Sequence, residues 1–347
     1  MRTTTAWQGS GPGAALQRAA IERRDLRADD LAVRIDHCGV CHSDLHALSG
    51  AIGKPTEGMV AGHEFTGTVT AVGAAVTGFE PGDRVAVGTI VDSCGDCAMC
   101  AAGQENYCLR GATSTYGGKD RVDGSITLGG YSREYVLRAK FAYPLPAALD
   151  PAAAAPLMCA GITMWEPMRA AGIGAGSRVA IAGLGGLGHL GVKLAVALGA
   201  EVTVLSRTPD KAGDARALGA ADLLVTTDDA DLARATGRFD LILDAIPAPH
   251  DLAPLLRLLA LDGTLSVVGY PREVQVQLMH LTYGRKNLSS SGTGGTKHTA
   301  ELLGFAAEHG ITADVEVLPS AKVDEALARL KQGDVRYRIV LDLSDLD

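Results

Sequence analysis

The sequence predicts an α/β protein of two domains, a β-rich half and a doubly wound parallel sheet, and three observations lead there. At 347 residues the chain exceeds the usual size of one compact domain, so two cores on one chain are expected. From about residue 30 to 145 it is made of short β-like runs, LAVRID, FTGTVTAV, DRVAVG and SREYVL, separated by Gly, Pro and Asp turns, the texture of a barrel or sandwich. After the Ala-rich helical stretch PLPAALDPAAAAPLMCAGITMWEPMRAAGI, strands and helices alternate: RVAIAG, LGHLGVKLAVALG, EVTVLS, PDKAGDARALG, DLLVTT, FDLILDA, HDLAPLLRLLA, GTLSVVG. That alternation is the signature of a parallel sheet covered by helices on both faces. The closing segments ADVEVLP, KVDEALARLKQG and RYRIVLDL add strand, helix and strand, and pattern alone assigns them to neither domain.

Composition narrows the function. With 47% apolar residues there is ample material for both cores, and 32 basic against 40 acidic residues give a net charge of -8. That balance argues against nucleic acid or an anionic membrane as the partner and points to a small molecule. No apolar run reaches the roughly 18 to 20 residues of a membrane span, and MRTTTAWQGSGPGAALQRA has no contiguous apolar core of a secretory signal. A cytoplasmic protein is expected. In that compartment the cysteines at 38, 41, 94, 97, 100, 108 and 159 read as metal ligands or catalytic groups rather than disulfides.

The strand-turn-helix RVAIAGLGGLGHLG carries GxGxxG at Gly183, Gly185 and Gly188, with Gly186 and Leu187 inside the turn. Glycines there permit a tight turn, close approach of backbone to a pyrophosphate and close helix–strand packing, so a dinucleotide is predicted. In NAD-binding units an acid about 20 residues on holds the ribose 2′-hydroxyl, but EVTVLSRTPDK ends its strand on Ser206 and Arg207, with Lys211 one turn away. A hydroxyl, a guanidinium fork and an ammonium suit a 2′-phosphate, so NADP is favoured. The alternative is that Arg207 and Lys211 are solvated residues opening a helix and that Asp210 reaches the ribose.

In CGDCAMCAAGQENYC, Cys94, Cys97, Cys100 and Cys108 follow a CxxCxxC spacing completed by a more distant cysteine. Four thiolates make a closed tetrahedral zinc site that staples a loop; an iron–sulfur cluster is the competing reading. The remaining thiols, Cys38, Cys41 and Cys159, together with His63 and Glu64, offer mixed ligands of the kind a catalytic zinc takes.

CGVCHSDLH, GHEFTGTVTAVG, CGDCAMC, GLGGLGHLGVKLAVALGAEVT, LDAIPAPH and DVRYRIVLDL occur in the order found in zinc-dependent medium-chain alcohol dehydrogenases. Over nearly its whole length the chain resembles the cinnamyl alcohol dehydrogenase branch of that family. The resemblance implies a GroES-like catalytic domain from residues 1–152 and 295–347 and a Rossmann dinucleotide domain from 153–294. It implies a catalytic zinc on Cys41, His63 and Cys159 with Glu64 as an alternating fourth ligand, and a structural zinc on Cys94, Cys97, Cys100 and Cys108, two per chain. Asp44 then matches the carboxylate that orients the ligand histidine, Ser43 the hydroxyl on the substrate oxygen, and His46 the outer end of a proton relay. Cys38 becomes a small buried thiol, and His37 and His42 have no catalytic role. The implied activity is hydride transfer between NADP(H) and an alcohol/aldehyde pair, in a homodimer joined through its nucleotide domains. Thr113, where relatives place a bulky aromatic, and the polar stretch SSSGTGGTKH suggest a broad aldehyde or alcohol pocket, and Trp165 either shapes that pocket or sits in the core; aldehyde reduction is the expected direction. Two other readings are a zinc-free quinone or enone reductase, opposed by the joint presence of Cys41, His63, Glu64 and Cys159, and a non-catalytic dinucleotide- or zinc-binding protein, opposed by Ser43 and His46.

Overall fold

The computed structural model describes residues 1–51, 56–271 and 273–347. The chain divides into two units, Met1–Cys159 with Gly295–Asp347, and Ala160–Gly294. In the first unit β1 (Arg2–Gln8) and β2 (Gln17–Arg23) form an antiparallel pair. Then come β3 (Asp30–Val40), α1 (His42–Leu48), β4 (Phe65–Val72), β5 (Arg84–Val87), β6 (Ile90–Asp92), α2 (Ala98–Ala101), β7 (Thr113–Ser114), β8 (Glu134–Arg138), β9 (Ala142–Pro144) and α3 (Pro151–Ala154). The second unit holds α4 (Ala160–Ala170), β10 (Arg178–Ala182), α5 (Gly188–Ala197), β11 (Glu201–Ser206), α6 (Ala212–Ala217), β12 (Asp222–Val225), α7 (Asp229–Arg234), β13 (Phe239–Asp244), α8 (Ala253–Leu258), β14 (Leu259–Val267), α9 (Met279–Thr282) and β15 (Asn287–Ser290). The chain rejoins the first unit with α10 (Thr296–His309), β16 (Val315–Pro319), α11 (Val323–Gln332) and β17 (Arg338–Asp342).

The main sheet of the first unit runs β16-β17-β3-β4-β5-β9, with β8 also on β3. As its central strand, β3 is buried along Asp30–Val33 and again at Cys38–Val40 instead of alternating in and out, because neighbours and helices cover it. Its register on β4 shifts between Ile35 and His37, a bulge of the kind that re-aims the residues beyond it. Those residues lead into Cys41 and α1. On the other side β17 pairs antiparallel with β3, setting Ile339 opposite Val40 and bringing the C-terminal strand against the site-bearing end. Leu31, Val33, Ile35, Phe65, Val69, Tyr131, Phe141, Ile339 and Leu341 are among the residues that fill the core.

The boundary between units falls at Cys159, beyond the 152/153 division read from the sequence. The cause is packing. Ala152–Met158 are buried against β3, β4 and β5, Thr66 Oγ1 donates to the Pro151 carbonyl at 2.9 Å, and Ala313 N donates to the Ala153 carbonyl at 3.1 Å.

In the second unit the sheet is parallel throughout, in the order β12-β11-β10-β13-β14-β15. Chain order reverses between β10 and β13, the switch point at which open α/β sheets bind their ligands. Both strands are continuously apolar at their centres, VAIA and LIL, and buried there, as strands covered on both faces must be. Among the described residues no helix is long and apolar enough to cross a membrane.

Candidate active site

The first cluster begins where β3 ends. Cys41 is extended and caps α1, and Asp44, three residues into the turn, accepts the Cys41 amide at 3.0 Å on Oδ2. The same carboxylate takes three more donors: Tyr131 Oη at 2.9 Å on Oδ2, and on Oδ1 the Gly62 amide at 3.0 Å and His63 Nδ1 at 2.9 Å. Asp44 is fully buried, and a buried charge is tolerated when all its acceptor positions are filled. With Nδ1–H committed to Asp44, His63 presents the lone pair of Nε2 on its far side.

That lone pair faces sulfur. His63 Nε2 lies 3.1 Å from Cys159 Sγ, and Cys41 Sγ lies 3.9 Å from Cys159 Sγ. The three ligand atoms fall within 4.8 Å of one another and all three residues are buried. A tetrahedral centre about 2.3 Å from each thiolate would set two sulfurs about 3.8 Å apart, so the spacing and the donor chemistry fit zinc. Cys159 joins from the short turn before α4, and Tyr116 packs edge-on to His63 at 5.5 Å between ring centroids. Hydrogen bonding from the Cys159 sulfur, working against burial, holds the Cys41 thiol well below its usual range.

The second cluster is local. Cys94, Cys97, Cys100 and Cys108 also place their sulfurs within 4.8 Å of one another, with Sγ–Sγ distances of 3.8 Å for Cys94–Cys100 and 3.5 Å for Cys97–Cys100. Backbone amides of Cys100 and Leu109 aimed at Cys97 bring its thiol down to about 6, which favours thiolate. Inside this lobe Glu105, fully buried, accepts the Thr296 amide at 2.8 Å and Thr296 Oγ1 at 2.9 Å and pairs with Lys140 Nζ at 2.7 Å. The lobe thereby fastens the first turn of α10.

In the second unit the turn after β10 has Gly183 at φ +91°, and a Cβ on Gly188 would meet the Gly183 carbonyl oxygen at 2.0 Å, so both positions require glycine. A Cβ on Gly185 would meet nothing within 4 Å, leaving an open cradle at the start of α5 with Gly186 and Leu187 beside it. No acid ends β11. Ser206 accepts the Thr208 amide at 3.4 Å, Arg207 is exposed, and Lys211 Nζ donates to the Leu184 carbonyl at 2.9 Å.

Residues 27–147 match the alcohol dehydrogenase GroES-like domain and residues 186–308 the zinc-binding dehydrogenase domain. The chain is 44% identical to a probable formaldehyde dehydrogenase of Bacillus subtilis, over 96% of its own length and 95% of that protein's. It is 43% identical to an NADP-dependent alcohol dehydrogenase of Mycobacterium tuberculosis over 100% of both. The chain belongs to the zinc-binding alcohol dehydrogenase family. Among solved structures, a cinnamyl alcohol dehydrogenase of Sorghum bicolor superposes with a TM-score of 0.94 at 38% identity, covering 98% of each chain. The dehydrogenase is therefore an α/β protein, with a GroES-like domain and a Rossmann-type domain, in the cinnamyl alcohol dehydrogenase-like branch.

Within the dehydrogenase, Glu64 stands apart from the sulfur–imidazole set: it is buried and ion-paired with Arg338. Burial pushes its carboxyl up to about 7 even with that guanidinium alongside. Cys38 is fully buried, its thiol pushed up by burial, in a space closed by Gly62 and Gly130. Ser43 lies on the exposed side of α1 with Oγ 3.8 Å from Cys41 Sγ, and His46 is exposed in the last turn. Among the described residues no hydrogen bond joins the two. Thr113 does not join this cluster; its Oγ1 donates to the Lys119 carbonyl at 3.3 Å, and it lines a separate cavity of about 300 Å³ with Arg24, Asp92 and Asp120. Trp165, 1% exposed, is a core residue of the second unit. Sequence reasoning missed Tyr131, Arg338 and Glu105. For Tyr131 the one local signal is GGYS, where paired glycines bring an aromatic close to a strand; the other two have none.

Proposed function

We propose that this chain is a zinc-dependent, NADP(H)-linked alcohol dehydrogenase that interconverts small alcohols and aldehydes, working chiefly as an aldehyde reductase of broad specificity. The observation that carries the reading is the buried set Cys41, His63 and Cys159, with Asp44 fixing which imidazole nitrogen faces the sulfurs. Those three residues would hold a catalytic zinc, and Cys94, Cys97, Cys100 and Cys108 a structural one, two per chain. When bound, the catalytic zinc supplies Lewis-acid polarisation of the substrate oxygen and NADP(H) supplies the hydride.

The remaining tasks fall to the chain's own groups. Asp44 keeps the proton on His63 Nδ1, and the buried rings of Tyr116 and Tyr131 keep water from that side of the cluster. Ser43, next to Cys41, is assigned to hold the proton at the substrate oxygen, and His46, one turn on and open to solvent, to exchange it with water, imidazole being the side chain that does this near neutral pH. Glu64 would be the alternating ligand, and to act as one it would have to leave Arg338. Gly183, Gly185, Gly186, Leu187 and Gly188 receive the pyrophosphate at the start of α5. Ser206 and Arg207 would hold the 2′-phosphate, and Lys211 would join them only on leaving the Leu184 carbonyl. The NADP-dependent relative of matching length supports that choice.

Breadth of specificity is supported by the low aromatic content, 4%, and by the polar, glycine-rich stretch from 289 to 298. Homodimerisation through the second unit is supported by β15, the last strand of its sheet, and by the exposed Tyr270, Leu278, Met279 and Tyr283 in the connection from β14 to β15; an open strand edge and exposed apolar side chains are features of a pairing surface. Seven free cysteines, with ligand sets accounting for all but Cys38, suit the reducing cytoplasm. The test is metal analysis of the purified protein together with an aldehyde and alcohol panel run with both cofactors. Two zinc ions per chain and faster NADPH-linked aldehyde reduction are expected. One zinc or fewer, or a preference for NADH, overturns the reading.

A further inference from the structure

At the carboxyl edge of the parallel sheet a buried acid and a histidine lie outside everything assigned so far. Asp244 closes β13 and is fully buried. Its Oδ1 accepts the Ile246 amide at 3.1 Å, and its backbone carbonyl accepts the amides of Val268 and Gly269 at 2.9 Å each. At the end of LDAIPAPH, His250 comes back to the strand: Nε2 lies 3.1 Å from Asp244 Oδ2, and Nδ1 lies 2.9 Å from the Ala248 carbonyl oxygen. Among the described residues neither Oδ2 nor Nε2 makes a hydrogen bond, so the two atoms face each other as a buried charge pair.

The loop these contacts close, 245–250, sits at the switch point. Ala245 N donates to the carbonyl of Ala182, the last residue of β10 before the glycine turn, at 2.9 Å. Ile246 Cγ1 is 3.3 Å from where a Gly183 Cβ would stand, and a Cβ on Gly269 would meet the Ile246 carbonyl oxygen at 2.2 Å. The loop is thus wedged between the glycine turn and the segment after β14, and any shift in it moves a wall of the dinucleotide site.

Proton counting defines the state of this pair. A neutral imidazole has one N–H, yet both nitrogens of His250 face oxygen. The arrangement needs a second proton, either on the ring opposite a carboxylate or on the carboxyl itself. Burial pushes the Asp244 carboxyl up while His250 works against it, and among the described residues His250 is the charged group that acts on it. Asp251 turns its own carboxylate to the Ala253 amide at 2.9 Å, Lys211 of the neighbouring turn is held on Leu184, and the segment after β14 faces the pair with backbone.

We infer that Asp244 and His250 are positioning residues for the dinucleotide, a two-proton clip that holds loop 245–250 in its binding shape, so that cofactor affinity depends on the pair keeping both protons. The inference rests on the reading of the second unit as an NADP(H) site.

The experiment is NADPH binding to the whole protein, followed by nucleotide fluorescence between about pH 6 and pH 9, the span over which imidazoles exchange protons. Wild type is expected to bind more weakly as pH rises, by about tenfold, the factor of one charge-assisted hydrogen bond. In Asp244→Asn the amide oxygen keeps the Ile246 donor while its N–H meets the lone pair of a neutral His250, so one ring proton suffices. This variant should hold its affinity at high pH and lose it at low pH, reversing the slope relative to wild type. His250→Ala should bind NADPH over the whole range about as weakly as wild type does at high pH, without that slope, and should raise KM for NADPH more than it changes kcat. Equal slopes in wild type and Asp244→Asn, or undiminished binding by His250→Ala, would overturn the clip. Absence of saturable NADPH binding by wild type at any pH would overturn the cofactor reading itself.

Discussion

Replacing Asp44 by Asn is the most informative single perturbation of the metal cluster, because the carboxylate accepts four donors: the Cys41 and Gly62 amides, Tyr131 Oη and His63 Nδ1. An amide of the same shape offers one oxygen, so only one of the two donor pairs can be kept and the other faces an NH2 group. If that group meets Gly62 and His63, the imidazole proton moves to Nε2 and the lone pair facing Cys159 is lost. If it meets Cys41 and Tyr131, the phenol turns to accept, but the Cys41 amide is left unpaired at the cap of α1. Hydrogen bonds to charged groups contribute about 1.5–3 kcal/mol each, so losing one or two lowers stability by about 1.5–6 kcal/mol. Groups that orient a ligand histidine set metal affinity by about 10–100-fold. Among the described residues no hydrogen bond or ion pair joins Asp44 to the four-cysteine lobe, which therefore provides an internal control. In a titration with a chelator of graded strength, Asp44→Asn should release one zinc per chain at about 10–100-fold lower chelator than wild type and the second zinc at the same concentration. Co-release of both metals, or release of neither earlier than in wild type, would refute the assignment of Asp44 as the group that orients His63.

Three further outcomes are expected. Arg207→Ala should weaken NADPH binding by about 1.5–3 kcal/mol and leave NADH unaffected; equal losses for both cofactors would remove Arg207 from the 2′-phosphate site. His46→Ala should slow turnover by about 10–100-fold near neutral pH, partly restored by added buffer base, and Ser43→Ala should be worse, with melting temperature unchanged in both; normal turnover in Ser43→Ala would discard its place at the substrate oxygen. Although burial opposes it, Lys140 and Thr296 hold the Glu105 carboxyl below its ordinary range. The stability it adds is then present above the unfolded value of about 4.3 and lost as pH falls through the lower folded one. The melting-temperature gap between wild type and Glu105→Gln should therefore be widest near neutrality and close below about pH 4; a gap that widens in acid would contradict the pairing.

What was legible in the sequence was what is local in the chain. The glycine turn between β10 and α5 and the four cysteines of 94–108 are each fixed by spacing within one short segment. The alternating strands and helices after it gave the parallel sheet because each carries its own hydrophobic period. Cys41, His63 and Cys159 come from three segments, and nothing in spacing alone separates Cys41 from Cys38; family resemblance had to supply the distinction. Long-range pairings cannot be read from spacing: Glu64 meets Arg338 from 274 residues away, and Tyr131 reaches Asp44 from 87. The first unit extends to Cys159 rather than 152 for a related reason, since where an Ala-rich run packs is decided by tertiary contacts and not by its own pattern. Nor does the sequence show that Lys211 donates to the Leu184 carbonyl, 27 residues away.

The pairing of β3 with β17 also bears on how the protein is made. Residues 37–40 of β3 find their partners at 339–342, almost the whole chain later, while the second unit is one uninterrupted stretch, Ala160–Gly294. During synthesis from the N-terminus the inserted unit can complete its sheet first, whereas the flank of β3 next to Cys41 stays an open edge until the last strand emerges. Until then Glu64 also lacks its guanidinium. Growth of the chain thus postpones closure of this sheet until residues 338–342 emerge, and loss of β17 would leave β3 with an unpaired, aggregation-prone edge.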